Sequence, residues 1–201
     1  MPALVWRLPH AMRCVASTPL GGGLGERHWV VNAQVPDAYD RTDVGEHLTE
    51  IAQALGCDGP GVGFLTAAAV ERATHTTDGM VSVWATVGLQ HPTWASSDVT
   101  ASGTPVGTVN IVAFVESRMS DAAMVNAVIT ITEAKSQALL DHGVPGTGTA
   151  SDAVCIAAHD EGSIQSFAGP RSEIGAALAR ATYAAVGQGT LAWQQQSGRH
   201  Q

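Results

Sequence analysis

The sequence predicts an α+β fold, a mixed α/β sandwich whose largely antiparallel sheet carries two long helices and one shorter helix packed on it. Three observations lead there. Short β-type runs outnumber helical stretches, two of the helical stretches fall between strands, and 45% of the 201 residues are apolar while only 14% are charged. A chain of this size buries a core without disulfides or metal staples. No repeat or composition break divides it, so we expect one domain over residues 1–190 and a frayed tail over 191–201.

The first elements are three β-type runs, "ALVWRL" (3–8), "RCVAST" (13–18) and "RHWVVNAQV" (27–35), separated by Pro and by the turn "PLGGGLG". Three antiparallel strands are the simplest reading. In "TDVGEHLTEIAQALGC", Val44, Leu48, Ile51 and Leu55 recur at helical spacing, with Thr42 or Asp43 as N-cap and Gly56 as the stop. "GVGFLTAA" (61–68) and "GMVSVWATVGL" (79–89) read as strands, 90–106 as a long loop rich in Ser, Thr, Pro and Gly, and "GTVNIVAFVE" (107–116) as a buried strand. Ser120 or Asp121 caps a helix over 121–142 that Gly143 closes. "DAVCIAA" (152–158) returns as a strand, and "SEIGAALARATYAAV" (172–186) forms a last helix of small residues.

Bulk properties exclude several classes of partner. The net charge is −8 and no Lys/Arg cluster offsets it, which disfavours a nucleic-acid phosphate backbone. No apolar run approaches the roughly 20 residues of a membrane span. Cys14, Cys57 and Cys155 are an odd number at wide spacing without a C-x-x-C pair, as expected for reduced thiols in the cytoplasm. His10, His28, His47, His75, His91, His142 and His159 are scattered in no metal-binding spacing, so no metal site is expected. Neither a P-loop, nor a dinucleotide fingerprint, nor a G-x-S-x-G elbow occurs. The sequence leaves a homo-oligomer open and offers nothing for one.

The informative segment is "VITITEAKSQALLDHGVPGTGTASDAVCIAAHD" (128–160). On a helical wheel Asn126, Thr130, Glu133 and Gln137 fall within roughly 60° of one another and form a polar stripe. One reading is a solvated face; the other is a lined cavity, since Asn, Thr and a lone Glu suit a cavity better than the Lys and Glu of a wet face. Lys135 projects from the apolar side and must snorkel or meet a carboxylate such as Asp152 or Glu116. The loop "GVPGTGTASDAV" offers the hydroxyls of Thr147, Thr149 and Ser151, amides freed by Gly146 and Gly148, and the carboxylate of Asp152. Such a loop either wraps an oxyanion or presents a nucleophile, or it is a plain turn with a local cap. Trp84 and Trp94 flank the 90–106 loop and can face a planar ligand, although a buried Trp is the commoner arrangement.

The segments "STPLGGG…VVNAQV", "GVGFLTAA", "GTVNIVAFV", "NAVITITEAKSQALLDHGV", "GTGTASDAVCIAA" and "AGPRSEIGAALARATYAAV" resemble, in order and spacing, the adenosylcobinamide amidohydrolase (CbiZ) family, from about residue 13 to 188. The "TEAK" helix and the "GT-x-[ST]-DAV" loop are the most specific parts. The family pattern commonly has Thr where Ser151 stands and Asn ahead of a Gly-Gly where this chain has Gly21-Gly22-Gly23.

The resemblance implies a single catalytic domain over residues 1–190 that hydrolyses the amide between a corrin propionate side chain and aminopropanol, turning adenosylcobinamide into adenosylcobyric acid in corrinoid salvage. The corrinoid is the substrate, and no cofactor is required. Amide hydrolysis needs an activated nucleophile, a stabilised oxyanion and a proton for the amine. We expect Glu133 as general base or acid, raised in pKa by apolar neighbours, with Asp152 orienting the nucleophile or sharing that work. Lys135 stabilises charge or is structural, and Thr149 or Ser151 is an alternative covalent nucleophile. Asn32, Asn110, Asn126, Thr130, Gly146 and Gly148 are expected to bind substrate amides or the oxyanion. The alternatives are a corrinoid-binding protein without hydrolysis and a hydrolase of another amide.

Overall fold

The structure is a computed structural model and describes residues 1–97 and 107–197. Part of the expected 90–106 loop therefore lies outside the described residues. Seven strands form one mixed sheet: β1 (Ala3–Ala16), β2 (Gly23–Gln34), β3 (Gly61–Thr66), β4 (Thr74–Asp78), β5 (Val81–Gly88), β6 (Thr108–Val115) and β7 (Ala153–Ala158). Their order is β3-β2-β1-β7-β6-β5-β4. Three helices pack on it: α1 (Val44–Ala54), α2 (Asp121–Asp141) and α3 (Glu173–Ser197). Four neighbouring pairs are antiparallel, and β2/β3 and β6/β7 are parallel. The parallel pairs are those joined by α1 and α2, because parallel neighbours need a crossover long enough to turn the chain round. The α+β sandwich expected from the sequence is what forms.

Four details differ from the sequence reading. The runs at 3–8 and 13–18 are one strand, whose pairing with β2 shifts register between Arg7 and Met12. Pro9 lies inside that irregularity, where a missing N–H interrupts a ladder without ending the strand. The third run pairs with β1 as expected, but β3 then adds parallel to it. Strand β4, "THTTD", was missed because it is a polar edge strand with no apolar alternation. Lastly, α3 continues to Ser197, so residues 191–197 are helical rather than frayed.

Two packed regions position the rest. On one face, α2 and α3 cover β5, β6 and β7 through Met124, Ile131, Leu178, Val83, Ile111 and Ile156, all essentially buried. Across the other face the sheet curls, so that side chains of β1, β2 and β3 meet those of β5 and β6. Trp6 stands edge-on to Trp84 at 5.9 Å, and Asn110 of β6 donates to Asn32 of β2 at 3.1 Å, although β1 and β7 lie between those strands. Truncating one such core side chain to Ala costs about 2–5 kcal/mol. Among the described residues, no helix is long and apolar enough to cross a membrane.

Candidate active site

Helix α2 starts where its sequence says it should. The Ser120 hydroxyl accepts from Ala123 N at 3.1 Å, and after Asp141 the chain leaves the helix at Gly143, whose φ of +73° few other residues tolerate. The loop that follows returns the chain to the N-terminal end of β7, beside the N-terminal end of its parallel neighbour β6. It is zipped to the segment after β5: Thr93 N donates to Gly148 O at 2.8 Å, Thr147 N to Thr93 O at 2.9 Å, and Ala95 N to the Thr147 hydroxyl at 3.1 Å.

Lys135, from the buried side of α2, forms an ion pair with Asp152 Oδ2. Of the two carboxylates the sequence offered, it meets Asp152. The same carboxylate accepts from Val109 N at 2.9 Å, from Thr149 N at 3.1 Å and from the Thr149 hydroxyl at 2.5 Å. Thr149 Oγ1 is also 2.6 Å from Gly107 O. One hydroxyl proton thus serves two acceptors, a carbonyl and a carboxylate, which is how a hydroxyl is held beside a base that can remove its proton. Ser151 Oγ lies 3.0 Å from the same Gly107 carbonyl and 2.7 Å from Thr108 Oγ1. Of these groups, Lys135, Asp152 and Thr149 open onto a cavity of about 360 Å³ between α2 and the two zipped segments. Among the described residues that line it, Lys135 is the one cation and Asp152 the one carboxylate.

Gly148 is there for close approach. A Cβ on it would fall 2.5 Å from Lys135 Nζ and collide with Asp152 Oδ2, so any side chain displaces the ion pair. Gly146 packs on the backbone of Thr93, where a Cβ would come within 2.7 Å of the carbonyl oxygen. Its own N–H donates to Val144 O at 2.9 Å, so this amide is not free for an oxyanion as expected.

The remaining expected site residues lie elsewhere. Glu133 is exposed and, as the roughly 160° on the wheel implies, faces away from Lys135, into a groove between α2 and α3 with Gln137, Arg180 and Tyr183. The apolar surroundings expected for its carboxyl are replaced by an exposed position. The upper half of the polar stripe is a staple: Asn126 Oδ1 accepts from Ala168 N at 3.1 Å and the Thr130 hydroxyl donates to Ala168 O at 2.8 Å, satisfying both backbone groups of one residue. Asn32 and Asn110 are each 2% exposed, and their amides are turned to protein groups: Asn32 Nδ2 to the Thr86 hydroxyl at 3.0 Å, Asn110 Nδ2 to Asn32 and to Leu65 O at 2.9 Å. Trp84 stacks on His75 at 3.9 Å, whereas Trp94 is exposed between the cavity-lining Thr93 and Ala95.

Sequence reasoning missed Gly107, Val109 and Thr93, which act through backbone groups and so carry no side-chain signal. A second group of ligand-type side chains, His10, His159 and Asp160, converges at the other end of β7.

Comparison with known proteins agrees with the resemblance over nearly the whole chain. The profile of CbiZ, adenosylcobinamide amidohydrolase, matches residues 1–198. An adenosylcobinamide amidohydrolase of Methanosarcina mazei is 33% identical over 141 residues, 70% of this chain and 67% of that protein. Another, of Halobacterium salinarum, is 34% identical over 172 residues, 80% of this chain and 73% of that protein. The Lys of "TEAK" and the Asp of "SDAV", far apart in the elements that carry the likeness, meet in one ion pair, and the chain that brings them together belongs to the adenosylcobinamide amidohydrolase family.

Proposed function

We propose that this chain hydrolyses the amide between a corrin propionate side chain and aminopropanol in adenosylcobinamide, giving adenosylcobyric acid, and that Thr149, Asp152 and Lys135 carry the chemistry. The observation that carries this reading is the Thr149 hydroxyl, 2.5 Å from Asp152 Oδ1 and open to a cavity, beside a carboxylate fixed by Lys135. Thr149 Oγ1 bonds to the amide carbon while its proton passes to Asp152. The carbonyl becomes an oxyanion, for which Lys135 is the nearest cation in the cavity. As the C–N bond breaks, Asp152 returns the proton to the amine, and aminopropanol leaves. Water then attacks the Thr149 ester, gives its proton to Asp152, and releases the corrin carboxylic acid as Thr149 recovers its hydrogen.

In this scheme Ser151, itself bonded to Thr108, holds the Gly107 carbonyl, Gly148 leaves room for the ion pair, and Glu133 takes no part. The reaction uses side chains alone, with the corrinoid as substrate. We place it in the cytoplasm, in corrinoid salvage, where thiols such as the three buried free cysteines stay reduced.

The test is incubation of EDTA-treated protein with adenosylcobinamide and chromatography for adenosylcobyric acid and aminopropanol. Wild type and Glu133→Gln should turn over within a few-fold of each other. Thr149→Ala and Asp152→Asn should each lose about 100-fold or more, and Thr149→Ser should retain part of the activity. Corrinoid binding by wild type without aminopropanol release would make the chain a binder instead. Normal turnover by Thr149→Ala would replace the ester by direct attack of water.

A further inference from the structure

We propose that His10, His159 and Asp160 form a binding site for a divalent transition-metal ion of the zinc or nickel type, held by His10 Nε2, His159 Nδ1 and Asp160 Oδ1. The irregular stretch of β1 between Arg7 and Met12 lifts His10 out of the ladder and turns it toward the C-terminal end of β7. His159 is fixed there by its amide, which donates to Val115 O at 3.0 Å. The two imidazoles meet edge to face with centroids 5.2 Å apart. One oxygen, Asp160 Oδ1, lies 3.2 Å from His10 Nε2 and 3.8 Å from His159 Nδ1. One ligand atom from each of the three residues lies within 4.8 Å of the others.

A tetrahedral ion with bonds near 2.0–2.1 Å spaces its ligands roughly 3.3 Å apart, so about an ångström of side-chain movement completes three of four positions. All three side chains are at least partly exposed, which permits that movement and leaves the fourth position to water. Two imidazoles and a carboxylate select zinc, nickel or copper over magnesium or calcium, which prefer oxygen ligands. No competing cation sits on the carboxylate from β1: Arg13, in register with Ala158, gives its guanidinium to Asp121 at 2.8 and 2.9 Å. The adjacent Glu161 and a net charge of −8 further favour a cation.

The six residues of β7 separate this site from Asp152 by about 20 Å, so the ion takes no part in amide cleavage. Its effect is mechanical: it ties the interrupted part of β1 to the end of β7, two points distant in sequence, and binding to the folded state alone stabilises it.

The experiment is equilibrium dialysis of the chelator-stripped full chain against zinc, with the cobalt(II) visible spectrum as a second readout. One ion per chain should bind saturably at micromolar concentration, and zinc should raise the melting temperature. His10→Ala and His159→Ala should each weaken binding ten-fold or more and abolish the thermal shift, while melting like wild type without metal. His28→Ala, which removes another exposed histidine, should change nothing. Absence of saturable zinc binding up to millimolar concentration, or equal binding by His10→Ala and His159→Ala, overturns the assignment.

Discussion

Replacing Lys135 with Met removes the charge and keeps most of the side-chain volume, so the cost reports the ion pair rather than a cavity. Lys135 is 7% exposed and its carboxylate partner is nearly as sheltered. Breaking a buried pair by deleting one partner costs about 3–5 kcal/mol, because the other charge is left uncompensated. Asp152 keeps three donors, Val109 N, Thr149 N and the Thr149 hydroxyl, and it borders a cavity that admits water. The cost therefore belongs at the low end, about 3 kcal/mol, or about 6–12 °C in melting temperature for a domain of this size. Urea unfolding of Lys135→Met, Asp152→Asn and the double variant measures it. The double variant should be less destabilised than the sum of the singles by about 2 kcal/mol, as for groups in direct contact. A Lys135→Met variant within about 0.5 kcal/mol of wild type, or single costs that simply add, would refute the coupling on which the site rests.

Gly148→Ala puts a Cβ onto the Lys135–Asp152 pair; it should cost about 1–3 kcal/mol and reduce turnover of adenosylcobinamide more than ten-fold, and unchanged activity would show that the pair tolerates displacement. Thr130→Val leaves the Ala168 carbonyl without its 2.8 Å donor in a 1% exposed position, so urea unfolding should show a loss of about 1–3 kcal/mol, against none if water replaces the hydroxyl. A pH series on Arg41→Gln probes the start of α1. Arg41 donates to Asp43 and Glu50 and holds both carboxyls low, Asp43 at about 2. Acids with depressed values contribute stability above their ordinary 3.8 and 4.5 and lose it as pH falls toward the folded value. The melting-temperature gap between wild type and Arg41→Gln should therefore be full near neutrality and close toward about pH 2; a gap independent of pH would rule out these carboxylates as its source.

Much of this protein is written in short-range pattern. Helix α2 is legible from Ser120 to Gly143 because capping and periodicity are local, and Lys135 stands out as a charge on an apolar side that needs a carboxylate. The same wheel finds the polar stripe, of which Thr130, Glu133 and Gln137 do line a groove, but not the partners of its members. It gives angles between side chains, but not what lies opposite each: for Asn126 and Thr130 that is the backbone of Ala168, and for Glu133 a groove open to water. Strand β4 escaped because an edge strand can be polar on both sides.

By itself, then, the sequence determined most of the elements, the fold class, the family and the two segments that meet at the site, since each rests on residue types at fixed spacing along the chain. Only the tertiary structure decided which groups touch. The curl of the sheet spends Asn32 and Asn110 on each other, the zipped loops bring the Gly107 carbonyl and Val109 amide to Thr149 and Asp152, and the broken ladder of β1 sets His10 against His159. Those contacts join residues distant in sequence, often through backbone atoms that every residue shares, so no local pattern encodes them.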